Sequence, residues 1–128
     1  MGRYAVGDIH GQFDELRRVH ALIAADRRRT GEDAPVVHLG DLVDRGPASR
    51  EVIDYLRRGP TDGTRWITIR GNHDFMFRIF LDSPDMADPG LNPAYTWLHD
   101  RLGGRDTLAS YWVDTSEDRP IPDIWAEA

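Results

Sequence analysis

The chain has 128 residues, 40% of them hydrophobic and 30% charged, with a net charge of −6 and no cysteine. That is the length of one domain with an ordinary soluble composition; it excludes disulfides, thiolate metal sites and cysteine nucleophiles, and no apolar run approaches membrane-spanning length. Every basic residue is arginine and the balance is acidic, which argues against nucleic-acid binding, because that needs a basic face to replace counterions.

The opening residues read as a strand, Arg3 to Val6, rather than as a secretory signal, so a cytoplasmic location is expected. This strand runs into Gly7-Asp8-Ile9-His10-Gly11. A helix from about Gln12 to Arg28 follows, with Phe13, Leu16, Val19, Leu22 and Ile23 near helical spacing. Arg27-Arg28-Arg29 at its end complements the helix dipole and faces solvent. After a loop over Thr30 to Asp33, the second strand, Pro35 to Leu39, is a short apolar run of the kind buried in a parallel sheet. It ends in Gly40-Asp41-Leu42-Val43-Asp44-Arg45-Gly46. Pro47 opens the second helix, Val52, Ile53 and Leu56 form its buried stripe, and Gly59-Pro60 ends it. The third strand, Trp66 to Ile69, is β-branched or aromatic at every position. Gly71-Asn72-His73-Asp74 follows, then a helix from about Asp74 to Leu81. Beyond it the sequence predicts a loop over Asp82 to Pro93, a short helix from Ala94 to Leu102 broken by Gly103-Gly104, and a turn of helix or a strand over Thr107 to Trp112. Residues 1–111 are expected to form the domain and residues 112–128 an irregular tail.

A β-motif-α unit thus occurs three times. The alternation argues for an α/β fold, built of βα units with a largely parallel sheet flanked by helices. Ligands of such sheets bind at the carboxyl ends of the strands, where all three motifs fall.

The motifs carry the chemistry. Asp8 and His10, two residues apart at a strand end, can turn both side chains toward one ion if the segment is extended; a carboxylate with an imidazole suits manganese, iron or zinc. Read singly, Asp8 near a helix start is more often a cap. Asp41, beside the carboxylate of another motif, calls for a cation between them. Arg45 offers a planar fork for phosphate oxygens, although Asp44 and Arg45 also suit a simple surface ion pair that caps the next helix. Asn72 can give a carbonyl oxygen to a metal, and His73 points elsewhere, as suits a proton donor. Asp74 is expected to cap its helix or to orient His73, and Arg70 to neutralise charge near the strand end. His20 and His38, inside a helix and a strand, read as structural, and His99 as a surface residue.

In this order and with these partners, the three motifs resemble the calcineurin-like metallophosphoesterase superfamily. The Asp44-Arg45-Gly46 ending resembles its serine/threonine phosphoprotein phosphatases, including bacterial members and the related symmetrical dinucleoside tetraphosphatases. The stretch Trp97-Leu98, Gly103-Gly104, Thr107-Leu108, Ser110-Tyr111 resembles a segment downstream in bacterial members. The resemblance implies the N-terminal half of an αββα sandwich and two divalent metal ions. Asp8, His10 and Asp41 would hold the first ion, and Asp41 with Asn72 the second. His73 would be the general acid, paired with Asp44, and Arg45 and Asn72 would bind phosphate. It further implies hydrolysis of a phosphomonoester by metal-bound hydroxide, on a phosphorylated protein or a small phosphoester. A dinucleoside polyphosphate is the alternative substrate, and a catalytically impaired remnant that binds metal or a partner is the alternative role.

The family's further histidines for the second metal have no counterpart here, since no histidine follows His99. The expectation is therefore the N-terminal portion of a phosphatase that binds one ion well and a second poorly.

Overall fold

The computed structural model describes residues 2–84 and 96–128. Three strands, β1 (Tyr4–Val6), β2 (Val36–His38) and β3 (Trp66–Thr68), form a parallel sheet in the order β1-β2-β3. Tyr4 pairs with Val36 and Val36 with Trp66. Each strand is shorter than the apolar run that encodes it, but the pairing continues past β2 and β3: Leu39 N–H donates to the Val6 carbonyl at 2.9 Å and Ile69 N–H to the His38 carbonyl at 3.0 Å.

The connections are α1 (Phe13–Thr30) and α2 (Ser49–Arg58). Gly31 closes α1 in the left-handed conformation, φ 71°, with its N–H on the Arg27 carbonyl. Helix α2 starts two residues after Pro47, which lies in the preceding turn. Parallel strands laid down in one direction by right-handed crossovers place both helices on one face. Val6, Ile9, Leu16, Val36 and Val52 form the core there, with Phe13, Ile23 and Leu56 packed around it. The opposite face is open among the described residues, with Leu39 48%, Ile67 41% and Ile69 49% exposed.

After β3 come α3 (Asn72–Asp82), α4 (Gly104–Ser110) and α5 (Ile121–Glu127). They build a second core from Met76, Phe80, Trp97, Leu98, Leu108, Val113 and Ile124. Two expectations change here, and one reading left open is decided. The tail is not irregular throughout, because α5 forms behind Pro120 and buries Ile124 completely. The described part of the expected Ala94–Leu102 helix, from Thr96 on, is a series of turns, while residues 94–95 and most of the expected loop after Asp82 lie outside the described residues. Of the two readings for Thr107 to Trp112, helix prevails, and it begins at Gly104.

The two cores are fastened together at α2 and α4. Arg50 N–H donates to Ser110 Oγ at 3.0 Å, its Nε donates to the Ser110 carbonyl at 3.1 Å, and its guanidinium lies 4.5 Å over the Trp112 ring.

Candidate metal and phosphate site

Backbone hydrogen bonds lace the three motifs together beyond the carboxyl ends of the strands. The N–H groups of Ile9 and His10 both donate to the Asp41 carbonyl, at 3.0 and 2.8 Å, and Gly11 N–H donates to Leu42 at 2.9 Å. The third motif crosses the second at two glycines: a Cβ on Gly40 would run into the Gly71 backbone, and one on Gly71 into Asp41. No other residue permits that approach. His10, Asp41, Asp44 and Arg45 have φ of 43°, 50°, 75° and 70°. Left-handed backbone costs a non-glycine residue about 1–2 kcal/mol, so strain is concentrated where the motifs meet.

Asp8, His10 and Asp41 each bring one ligand atom within 4.8 Å of the others. Asp8 Oδ2 is 3.7 Å from His10 Nε2. His10 Nδ1 lies 2.8 Å from the Val43 carbonyl, which can only accept, so Nδ1 carries the proton and Nε2 keeps its lone pair for the cluster. That is the tautomer a metal-binding imidazole needs, and the set of two carboxylates and one imidazole fits a divalent ion. The Asp8 side chain is 67% exposed, leaving the solvent side of the cluster open.

Asn72 and His73 open α3 beside this cluster. One terminal amide atom of Asn72 lies 3.1 Å from each Asp41 carboxylate oxygen, and as NH2 it donates to both. Asp41 Oδ1 also accepts the His73 backbone N–H at 3.0 Å. The His73 ring stands edge-on to His10 with centroids 4.7 Å apart, and its Nδ1 lies 2.7 Å from Asp44 Oδ2. His73 is 5% exposed and Asp44 fully buried.

Two alternatives left open by the sequence are decided by the geometry. Asp44 and Arg45 do not pair with each other: Asp44 turns inward to His73, while exposed Arg45 donates from Nη2 to the Arg101 carbonyl at 3.2 Å. Asp74 does not orient the His73 ring, because its carboxylate accepts the backbone N–H groups of Gly71 (2.9 Å) and Leu42 (2.8 Å). It caps α3, which therefore begins at Asn72. Arg70 lies exposed with its guanidinium 4.6 Å over the Phe75 ring.

Sequence reasoning gave no role to Trp97 and Thr107, yet both hydrogen-bond the Asp44 carboxylate. Their separation of 53 and 63 residues from Asp44 hid the contact, and the Trp97 to Tyr111 resemblance was the one signal pointing to it. A hollow of about 300 Å³ beside His20, Tyr55 and Trp66 lies near the opposite ends of the strands and takes none of the motif residues into its lining.

Comparison with known proteins places these residues in a family. Shewanella-like protein phosphatase 2 of Arabidopsis thaliana is 33% identical over 100 residues, covering 73% of this chain and 25% of the relative. The symmetrical bis(5'-nucleosyl)-tetraphosphatases of Nitrosococcus oceani and Serratia proteamaculans are 44% and 39% identical over 75 and 74 residues, covering 58% of this chain and 24% of theirs. The chain thus spans about a quarter of the length of the curated relatives it matches. With the calcineurin-like phosphoesterase family model matching residues 3–126, and the motifs meeting as they do at the sheet edge, the chain belongs to the calcineurin-like phosphoesterases.

Proposed function

We propose that this chain supplies the metal-binding and proton-donating residues of a phosphomonoester hydrolase resembling the serine/threonine protein phosphatases. The observation that carries the reading is the His10 lone pair converging with Asp8 and Asp41, next to a histidine whose other ring nitrogen is held by a buried carboxylate. Asp8, His10 and Asp41 are the ligands of a first divalent ion, and Asp41 and Asn72 those of a second. Manganese, iron and zinc suit the donors. Bound there, such ions supply Lewis acidity toward a phosphoryl oxygen and an activated water.

The remaining work belongs to the side chains. Arg45, exposed at the rim, clamps two phosphate oxygens with its planar fork. Asn72, whose NH2 rests on Asp41, would turn its carbonyl oxygen to the second ion and its NH2 to a phosphate oxygen. His73 offers its Nε2 proton to the leaving oxygen, and Asp44 on Nδ1 fixes the ring and balances its charge. The relatives named as symmetrical bis(5'-nucleosyl)-tetraphosphatases support a second substrate class, a dinucleoside polyphosphate, because they are 39% and 44% identical over 74 and 75 residues against 33% over 100 for the protein phosphatase.

Ligand number separates the two ions. The first has three protein ligands and open positions for water, whereas the second has Asn72 and a shared Asp41. The 128-residue chain is therefore expected to bind one manganese ion much more tightly than a second and to turn over slowly or not at all. Calorimetric titration with manganese, run beside hydrolysis of phenyl phosphate and of a dinucleoside tetraphosphate, tests this. One strong site, lost in Asp8→Asn, supports it; no manganese binding overturns the metal assignment, and two equal tight sites with brisk turnover overturn the ligand count.

A further inference from the structure

We infer that Trp97 and Thr107 are positioning residues of this site: together they clamp Asp44 so that its Oδ2 faces His73 Nδ1 and leaves His73 Nε2 toward the phosphate. The inference rests on the reading of His73 as the proton donor.

Asp44 is a fully buried carboxylate, and among the described residues no arginine pairs with it. Among them three donors meet it instead. Trp97 Nε1 donates to Oδ2 at 2.8 Å, beside His73 Nδ1 at 2.7 Å, and Thr107 Oγ1 donates to Oδ1 at 2.6 Å. The Thr107 hydroxyl is oriented by Asp44 itself, whose backbone N–H donates to it at 2.8 Å; its proton is thereby directed to the carboxylate. Each partner is fixed in role, because an indole N–H can only donate. With one oxygen tied to Thr107 and the other to Trp97, the carboxylate cannot rotate about its last bond without breaking a charge-assisted hydrogen bond in a dry environment.

The segment that brings these donors is built around the same contact. Gly104 begins α4 directly against the Trp97 ring, where a Cβ would overlap the indole. Gly103, φ 81°, accepts Arg45 N–H at 3.2 Å, and the Arg45 guanidinium reaches the Arg101 carbonyl. Residues 97–107 therefore grip the acid's partner and the phosphate clamp at once. A carboxylate is an expensive way merely to join two segments, since burying its charge costs several kcal/mol where a neutral amide would serve. The charge has a use if it holds a proton on His73 Nδ1, so that Nε2 is the nitrogen that takes up the acid's proton and gives it to the leaving oxygen.

The test is ¹⁵N imidazole spectroscopy of the full chain without metal, at alkaline pH, in wild type and in Trp97→Phe, Thr107→Val and Thr107→Ser. Wild type and Thr107→Ser are expected to show one His73 tautomer, protonated at Nδ1. Thr107→Val and Trp97→Phe are expected to show a mixture, with manganese affinity retained because no ligand is touched. A single unchanged tautomer in both folded variants overturns the inference, and if Trp97→Phe fails to fold, the Thr107 pair decides. Hydrolysis with enzyme in excess of substrate, which reads the slow turnover expected of this chain, separates this from the functional reading. Loss of phenyl phosphate hydrolysis by about tenfold or more, with nitrophenyl phosphate less affected, is expected if His73 is the acid. A mixed tautomer with equal effects on both esters keeps the clamp and removes the acid role.

Discussion

The two ring nitrogens of His10 face different demands, one satisfied by the Val43 carbonyl and the other turned to two carboxylates. Metal binding should therefore act on the folded state alone: at manganese a hundredfold above its Kd, the native chain gains about 2.7 kcal/mol. Asp8→Asn and His10→Ala are expected to abolish that gain in thermal melts, while His20→Ala, whose ring points to Tyr55 and His38, should retain it. Equal loss in all three would move the site elsewhere. Arg45 invites a second substitution. Its φ of 70° is relieved by Arg45→Gly, which should leave stability unchanged or raised by up to about 1 kcal/mol while weakening binding of inorganic phosphate. A stability loss well beyond that would mean the Arg101 contact outweighs the strain. The donor types at this site were legible from sequence, but the route was not. Asp8 and His10 do converge, yet His10 is left-handed rather than extended, so the period-two logic reached the right pair through the wrong backbone.

At the level of elements, a chain of side chains joins α1, β2, α2 and β3. Tyr55 Oη and His20 Nδ1 are 2.9 Å apart, His20 Nε2 and His38 Nε2 2.9 Å, and His38 Nδ1 and Thr68 Oγ1 3.1 Å. Burial, and then the neighbouring His38, push the His20 pKa down to about 4; Asp62 works weakly the other way, and burial likewise lowers His38. The unfolded chain then binds more protons than the folded one below the ordinary histidine value. Stability from this pair is complete above about pH 7 and falls as pH drops from about 6.5 toward 4. Urea melts of metal-free protein at pH 7.5 and 5.5 should show that loss, and His38→Gln should flatten it. No change in slope would assign the acid sensitivity to other groups. The strands and α1 to α3 were legible because each carries its own period. The helix α5 was not, since its Ile121 and Ile124 are interleaved with two prolines in a polar stretch and gain meaning only against the second core.

For the whole molecule, the sheet has one working face and one open face, and the difference is measurable. Leu16→Ala, at 3% exposure in the first core, should cost about 2–5 kcal/mol, whereas Ile67→Thr on the open face should change stability by no more than about 0.5 kcal/mol. A large loss at Ile67 would show that its face is covered in solution. The parallel α/β architecture followed from the order of the elements, but the division into two cores did not, because Trp97, Leu108 and Ile124 meet only through tertiary contacts. That division has a consequence for the order in which the site would come apart. Asp8, His10 and Asp41 are held by the sheet and its own helices, while Asp44, His73 and Arg45 also lean on residues 97–107. Denaturant that melts the second core first would leave a protein that still captures its ion but no longer holds its proton donor against Asp44. Affinity and turnover would then fade at different points along one unfolding curve.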